Sequence, residues 1–264
     1  MPELPEVETI VRYLRPKIRG KHILEMEAKS KRVLRYHKNL GEIKKRILGK
    51  KISDIRRLGK NIVFKLNDGT CFVVHLMMTG KLLLNPQESK PHDRLLIKLS
   101  GGTKLVFNDT RQFGWCRVIE SSEKLAGPDA LVTKFKDFKR LINIHKSAIK
   151  NLFLNQKIIS GIGNIYSDEI LWHAGINPKR KADSLREAET RKLYQAMRRV
   201  LERAIKKEGT SSRDYRKPDG SKGGYYEIRR AYQRRGEICT RCGGTIRRTT
   251  IGQRSAHFCP KHQR

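Results

Sequence analysis

Residues 5–20 place apolar side chains at Val7, Ile10, Val11, Leu14 and Ile18, the spacing of one helical face. Pro16 is expected to bend or shorten that helix. From about residue 22 to 120 the period changes. Short β-rich runs at 62–66, 71–76, 95–99 and 104–107 are separated by Asn67-Asp68-Gly69 and Ser100-Gly101-Gly102, which predict hairpin turns. Together they predict an antiparallel sandwich or barrel. Gly127-Pro128-Asp129 reads as a linker, and beyond it the pattern turns helical. Ser184 and Glu187 have capping-box spacing ahead of the stripe Leu193, Met197, Val200, Leu201, Ala204 and Ile205, and Gly209 supplies a stop. Residues 209–226, rich in Gly, Ser, Lys and Asp, suggest a mobile loop. The fold class is therefore α+β: an N-terminal helix with an antiparallel β-sandwich (1–128), a helical domain carrying the loop (129–228) and a small cysteine-bearing module (229–264).

Charge narrows the partners. The 264 residues hold 59 Lys and Arg against 26 Asp and Glu, a formal net charge of +33. An excess this large repels itself and calls for a polyanion: DNA, RNA or an anionic membrane. Hydrophobic content of 37% permits a packed core. No apolar run reaches the roughly 18–20 residues of a membrane span, and the first 20 residues have no signal-peptide pattern. A cytoplasmic protein is expected.

Two places offer chemistry. Cys239-x2-Cys242, sixteen residues, then Cys259-x2-His262 gives two chelating pairs suited to one tetrahedral Zn²⁺, with His257 as an alternative fourth ligand. A module this small has little core, so the metal is expected to supply its folding energy. The other place is the start, Met1-Pro2-Glu3-Leu4-Pro5-Glu6. If Met1 is removed, Pro2 becomes a free secondary amine, which turns into an iminium electron sink on attacking an aldehyde-like carbon. An α-amino group titrates near ~8, about two units below a lysine. Between residues 146 and 170, two helical stretches flank Ser160-Gly161-Ile162-Gly163-Asn164, a turn able to offer backbone N–H groups and a helix N-terminus to a phosphate.

PELPEVET, HLMMTG, NDTRQFGW, GIGNIYSDEIL and the cysteine module, in this order from end to end, resemble the bacterial formamidopyrimidine-DNA glycosylase family. Endonuclease VIII, a close relative, typically has Gly where this chain has Leu4, which favours the purine-repair branch. The resemblance implies a bifunctional glycosylase and AP lyase of base excision repair, with a helix-two-turn-helix domain and a β-hairpin zinc finger. The resemblance also implies a nucleoid-associated monomer. Such an enzyme acts on double-stranded DNA that crosses the cleft between its domains. It everts an oxidised purine, such as 8-oxoguanine or a formamidopyrimidine, because the reacting sugar carbon is unreachable in stacked DNA. The resemblance makes Pro2 the nucleophile at C1′, Glu3 the proton carrier and Glu6 its assistant through the N-terminal hydrogen-bond network. Lys60 aids β-elimination and Arg254 of the finger aids δ-elimination. His75, His92, Arg111, Lys150, Asn164 and Tyr166 fall at DNA-binding positions. Met78, Arg111 and Phe113 fill the hole left by the everted base: a flexible apolar plug, a hydrogen-bond donor and a wedge.

Three departures from the family pattern stand out: His262 for a usual Cys, Thr110 for a usual Pro, and Met77 for a usual Gly. The loop near 213–226 is too variable to carry specificity across. The rival readings are a catalytically silent DNA-binding zinc protein on the same scaffold, an endonuclease VIII-like glycosylase for oxidised pyrimidines, and a basic RNA-associated protein. The last gives no reason for the Pro-Glu start.

Overall fold

The computed structural model describes residues 1–120 and 125–264. The chain forms two compact units, one of Met1–Leu125 with Lys207–Tyr226, the other of Ala126–Lys206 with Glu227–Arg264.

The first unit is a sandwich of two four-stranded antiparallel sheets. One has the order β1 (Ile23–Ala28), β6 (Asp93–Leu99), β7 (Thr103–Asn108), β5 (Lys81–Leu84). The other runs β2 (Ile52–Leu58), β3 (Asn61–Leu66), β4 (Cys71–His75), β8 (Trp115–Ile119). The predicted strands are all present. Alternation along them points Ile62, Phe64, Phe72, Val74, Leu95, Ile97, Leu105 and Phe107 into one core. Helix α1 (Leu4–Ile18) lays Val7, Ile10, Leu14 and Ile18 against it. Pro16 does not break α1. It lies in the last turn, where the lost N–H costs one bond and the chain is about to leave the helix. Helix α2 (Leu40–Ile47) adds Ile43 and Ile47. Register sets Asn61, His75 and Trp115 side by side at one end of the second sheet.

The segment Lys207–Tyr226, grouped with the helical part on sequence, packs in this first unit. It is tied down along its length. Tyr215 enters the core, Leu84 N–H donates to the Pro218 carbonyl at 3.0 Å, and Tyr225 N–H closes onto the Gly209 carbonyl at 3.0 Å.

The second unit comprises α3 (Phe135–Ile144), α4 (Ile149–Leu154), α5 (Asn164–Ala174), α6 (Glu187–Lys206) and the hairpin of β9 (Arg247–Ile251) and β10 (Arg254–Phe258). Every residue of α5 from Ile165 to Trp172 is buried, so this helix is the axis of the unit. Helix α6 is amphipathic and buries Leu193, Met197, Val200, Leu201 and Ala204. Its cap is not the predicted one. The Ser184 hydroxyl donates to the Lys181 carbonyl, and the carboxylate of Glu189 takes the N–H of Arg186 at 2.9 Å. The Gly127-Pro128-Asp129 segment is not a slack linker. Ser160 N–H donates to the Pro128 carbonyl at 2.7 Å, and a Cβ on Gly127 would lie 2.2 Å from the Lys157 carbonyl oxygen. Among the described residues no helix is long and apolar enough to cross a membrane.

Candidate active site and nucleic-acid interface

The N-terminus is an enclosed polar site rather than a frayed end. Pro2 is buried, Glu3 is 2% exposed and Glu6 fully enclosed. Glu3 caps α1, and its N–H donates to Glu6 Oε2 at 2.8 Å. The other oxygen, Oε1, accepts the N–H of Thr210 at 2.7 Å. One carboxylate thus holds both the residue after Pro2 and the root of the 207–226 segment, at a helix N-terminus that favours its charge. Gly209 is required there. Its φ is +85, in the left-handed region, and a Cβ would fall 2.8 Å from Glu6 Oε1. The Tyr215 hydroxyl lies 3.5 Å from the Glu6 carbonyl, and burial together with the charge of Glu6 pushes its phenol well above the usual range.

Lys60 is 6% exposed, in the β2–β3 turn that Gly59 makes with φ +58. His75 ends β4, stacked on Trp115 with ring centroids 5.3 Å apart. Burial, and then the positive charge of Lys60, holds its imidazole down to about 4, so it is neutral at pH 7. Met77 N–H donates to its Nδ1 at 3.0 Å, which leaves the proton on Nε2. His75 therefore presents a neutral donor. Met77 adopts φ +51, the left-handed region that the family's usual Gly enters without strain.

Met78, Arg111 and Phe113 come together. Arg111 Nη1 lies 3.6 Å from Met78 Sδ, and its guanidinium sits 4.7 Å from the centroid of the Phe113 ring. Beneath them is Asp109, fully buried. It accepts the Thr79 hydroxyl and the Arg111 N–H on Oδ1 and the Gly114 N–H on Oδ2 at 2.8 Å. His92 is exposed with φ +78, and its Nδ1 lies 3.0 Å from Nη2 of Arg94, whose Nε donates to the Asp109 carbonyl at 2.9 Å.

In the second unit the side chains of two residues expected at the DNA are enclosed. Lys150 is fully enclosed, its ammonium paired with Asp168 and 3.1 Å from the Ser167 hydroxyl. Asp168 Oδ2 in turn accepts the backbone N–H and Nδ1 of His257, both at 3.0 Å. An ammonium so committed offers no surface to a phosphate; it ties α4, α5 and β10 together. Tyr166 is likewise 0% exposed, on the axial helix. Asn164 opens α5, half-buried, with Oδ1 lacking a partner and Nδ2 3.4 Å from the Ser255 hydroxyl. Arg254 is exposed at the start of β10. Asp109, Asp168 and Glu169 were missed on sequence. Their signal was present: acids are scarce in this chain, and Asp168-Glu169 interrupt an otherwise apolar helix. Glu169 takes the N–H groups of Arg230, Ala231 and Tyr232, and burial pushes its carboxyl up.

The thiols of Cys239, Cys242 and Cys259 lie within 4.8 Å of one another. A Cβ on Gly244 would sit 3.2 Å from Cys259 Sγ and 3.4 Å from Cys242 Sγ, so glycine keeps the centre open. Trp172 Nε1 faces Cys239 Sγ at 3.4 Å. His262 Nε2 is 2.8 Å from the Trp172 carbonyl, and neither of its ring nitrogens lies within 4.8 Å of all three thiols, so the predicted fourth ligand stands beside the cluster and not in it. His257 is committed to Asp168. Three converging soft ligands with an imidazole beside them fit Zn²⁺.

Residues 1–116 match the formamidopyrimidine-DNA glycosylase N-terminal domain, 126–216 the formamidopyrimidine-DNA glycosylase H2TH domain, and 236–261 a zinc finger found in FPG and IleRS. The chain is 42% identical over 267 residues to the formamidopyrimidine-DNA glycosylase of Solibacter usitatus and 40% identical over 268 to that of Carboxydothermus hydrogenoformans, with all of each chain covered. It superposes on Lactococcus lactis Fpg bound to DNA containing an abasic site with a TM-score of 0.89, at 33% identity over 99% of both chains. Against MutM in complex with DNA containing carbocyclic 8-oxo-G the TM-score is 0.90, at 34% identity over all of both chains.

Proposed function

The chain belongs to the formamidopyrimidine-DNA glycosylase family, and from that premise we propose that Pro2 is its nucleophile and Glu3 its proton carrier. It is a DNA glycosylase and AP lyase of base excision repair that acts on double-stranded DNA, and its finger holds one structural zinc. Oxidised purines are its substrate class, as the names of its relatives and the DNA in the solved complexes suggest.

The reading rests above all on the enclosed start of α1. With Met1 removed, the Pro2 nitrogen attacks C1′ of the everted nucleotide. The glycosidic bond breaks, and its electron pair leaves with the base as a proton is supplied. Glu3 protonates the sugar ring oxygen, the ring opens, and Pro2 is left as an iminium. Loss of a C2′ proton then expels the 3′ phosphate, and a second elimination expels the 5′ phosphate. Glu6 supports this by fixing the Glu3 backbone; Lys60 serves the first elimination and Arg254 the second. His75, His92, Asn164 and Arg111 face phosphate or base, while Met78, Arg111 and Phe113 occupy the vacated space. Lys150 and Tyr166 act from inside by shaping α4 and α5. Cys239, Cys242 and Cys259, with His262 as the fourth ligand, would hold the metal, whose charge would neutralise the thiolates and let the finger fold.

Borohydride reduction during reaction tests the assignment. The protein freed of Met1 should cross-link to abasic or 8-oxoguanine duplex through Pro2, located by mass spectrometry. Pro2→Gly should lose base excision, and an N-terminal tag should abolish trapping. Binding without a cross-link would instead favour the silent DNA-binding scaffold, and an adduct on a lysine would remove Pro2 from the role. With about six phosphate contacts, log affinity should fall with log salt at a slope of about −5.

A further inference from the structure

We propose that Arg35 is a positioning residue that clamps the loop carrying Phe113 and so presents that ring as a preformed wedge. The inference rests on the void-filling role of Phe113. The Arg35 Nη2 lies 3.1, 2.9 and 3.1 Å from the carbonyl oxygens of Gln112, Phe113 and Gly114. Three successive carbonyls turned to one point repel one another unless a cation sits among them. The three carbonyls share the two N–H groups of Nη2 while Nε donates to the Arg32 carbonyl, a two-ended grip that a planar guanidinium makes and an ammonium does not.

The clamp stands on a fixed base. The short 3-10 turn Lys31–Leu34 buries Val33 and Leu34 in the sandwich core, and Arg35 is the next residue. Arg35 Nε also donates to the Arg32 carbonyl at 3.1 Å. The Ser30 hydroxyl donates to Gln112 Oε1 at 2.7 Å. From the other side Asp109 takes the N–H groups of Arg111 and Gly114. Carbonyls held from one side and amides from the other lock the loop without helix or strand. Gln112 is kept at φ +55, a left-handed conformation a side chain seldom adopts unaided. On this locked loop Phe113 remains 40% exposed, with the Arg111 guanidinium 4.7 Å from its ring centroid. An exposed aromatic on so restrained a backbone is a presented group. Its ordering is complete before DNA arrives, so insertion does not have to supply it.

The test uses Arg35→Ala, Arg35→Lys, Phe113→Ala and the double variant Arg35→Ala/Phe113→Ala in single-turnover excision from an 8-oxoguanine duplex. A misplaced wedge should slow Arg35→Ala about tenfold or more, with DNA affinity little changed. In the Phe113→Ala background the same substitution should add little, because both act through one loop. Arg35→Lys should recover part of the loss. Losses that multiply, a salt slope reduced by about one, or full recovery by lysine would make Arg35 a phosphate contact and overturn the clamp. Hydrogen exchange of residues 110–115 in the DNA-free protein is the independent arm. Arg35→Ala should speed it, and unchanged exchange overturns the clamp by itself. If Phe113→Ala excises normally while Arg35→Ala still loosens the loop, the wedge role fails and the clamp on the backbone stands.

Discussion

Asp109 in the first unit and Asp168 in the second are both buried carboxylates that join segments far apart in sequence, yet they are satisfied differently. Asp109 accepts from one hydroxyl and two backbone N–H groups of the loops that carry Met78, Arg111 and Phe113. Asp168 accepts from the Lys150 ammonium, a backbone N–H and the His257 ring. The first arrangement fixes loop backbones and leaves their side chains pointing out. The second consumes a cation to weld two helices to the zinc hairpin. In a chain of +33, one lysine spent inside costs little for polyanion binding, whereas an unpaired ammonium there would be severe.

The largest way to break the contrast is removal of the metal. Structural zinc in small fingers is worth roughly 10–16 kcal/mol of apparent binding energy, so chelation should unfold the finger and release His257 from Asp168. Circular dichroism with zinc stoichiometry would show it, and β1–β8 should keep their signal. His262→Ala should weaken zinc retention and His262→Cys restore it; equal retention by all three would remove His262 from the ligand set.

Next comes the ion pair. Lys150→Ala should destabilise the protein by about 3–5 kcal/mol in urea unfolding, because it strands a buried carboxylate. Lys150→Met with Asp168→Asn should recover much of that. Asp109→Asn, which keeps the shape and loses no cation, should cost only about 1–3 kcal/mol. A larger loss at Asp109 than at Lys150 would reverse the comparison.

A pH effect is expected from His75. Its folded value of about 4 lies below the ordinary 6.5, so the folded state resists the proton. Stability from this group is full above pH 6.5 and is lost progressively as pH falls towards 4. His75→Gln should flatten that part of the profile; an unchanged slope would place the titration elsewhere.

The smallest effect is at Met77. Relieving φ +51 by Met77→Gly should stabilise the turn, offset by the greater freedom of glycine in the unfolded chain, for a net change within about 1 kcal/mol. A loss well beyond that would mean that the methionine side chain packs usefully.

Much of the fold was legible in the sequence, because periodicity records which face of each element is buried. The 62–66 and 71–76 runs became β3 and β4 nearly to the residue, and the stripe from Leu193 to Ile205 became the inner face of α6. The cysteine spacing located the metal site, because ligands with two residues between them can share a turn. The sequence could not separate a cation that meets DNA from one that is enclosed. Lys150 and Arg254 read alike among 59 basic residues, and only packing enclosed Lys150 beside Asp168 while Arg254 stays exposed.

Local pattern determined the elements, the net charge and the chemistry of the first three residues, since each depends on neighbours along the chain. Tertiary structure alone decided which groups meet: Glu6 with Thr210, Asp109 with Gly114, Arg35 with three carbonyls more than seventy residues away. Those contacts depend on where loops close in space, and no periodicity along the chain encodes the ends of a loop.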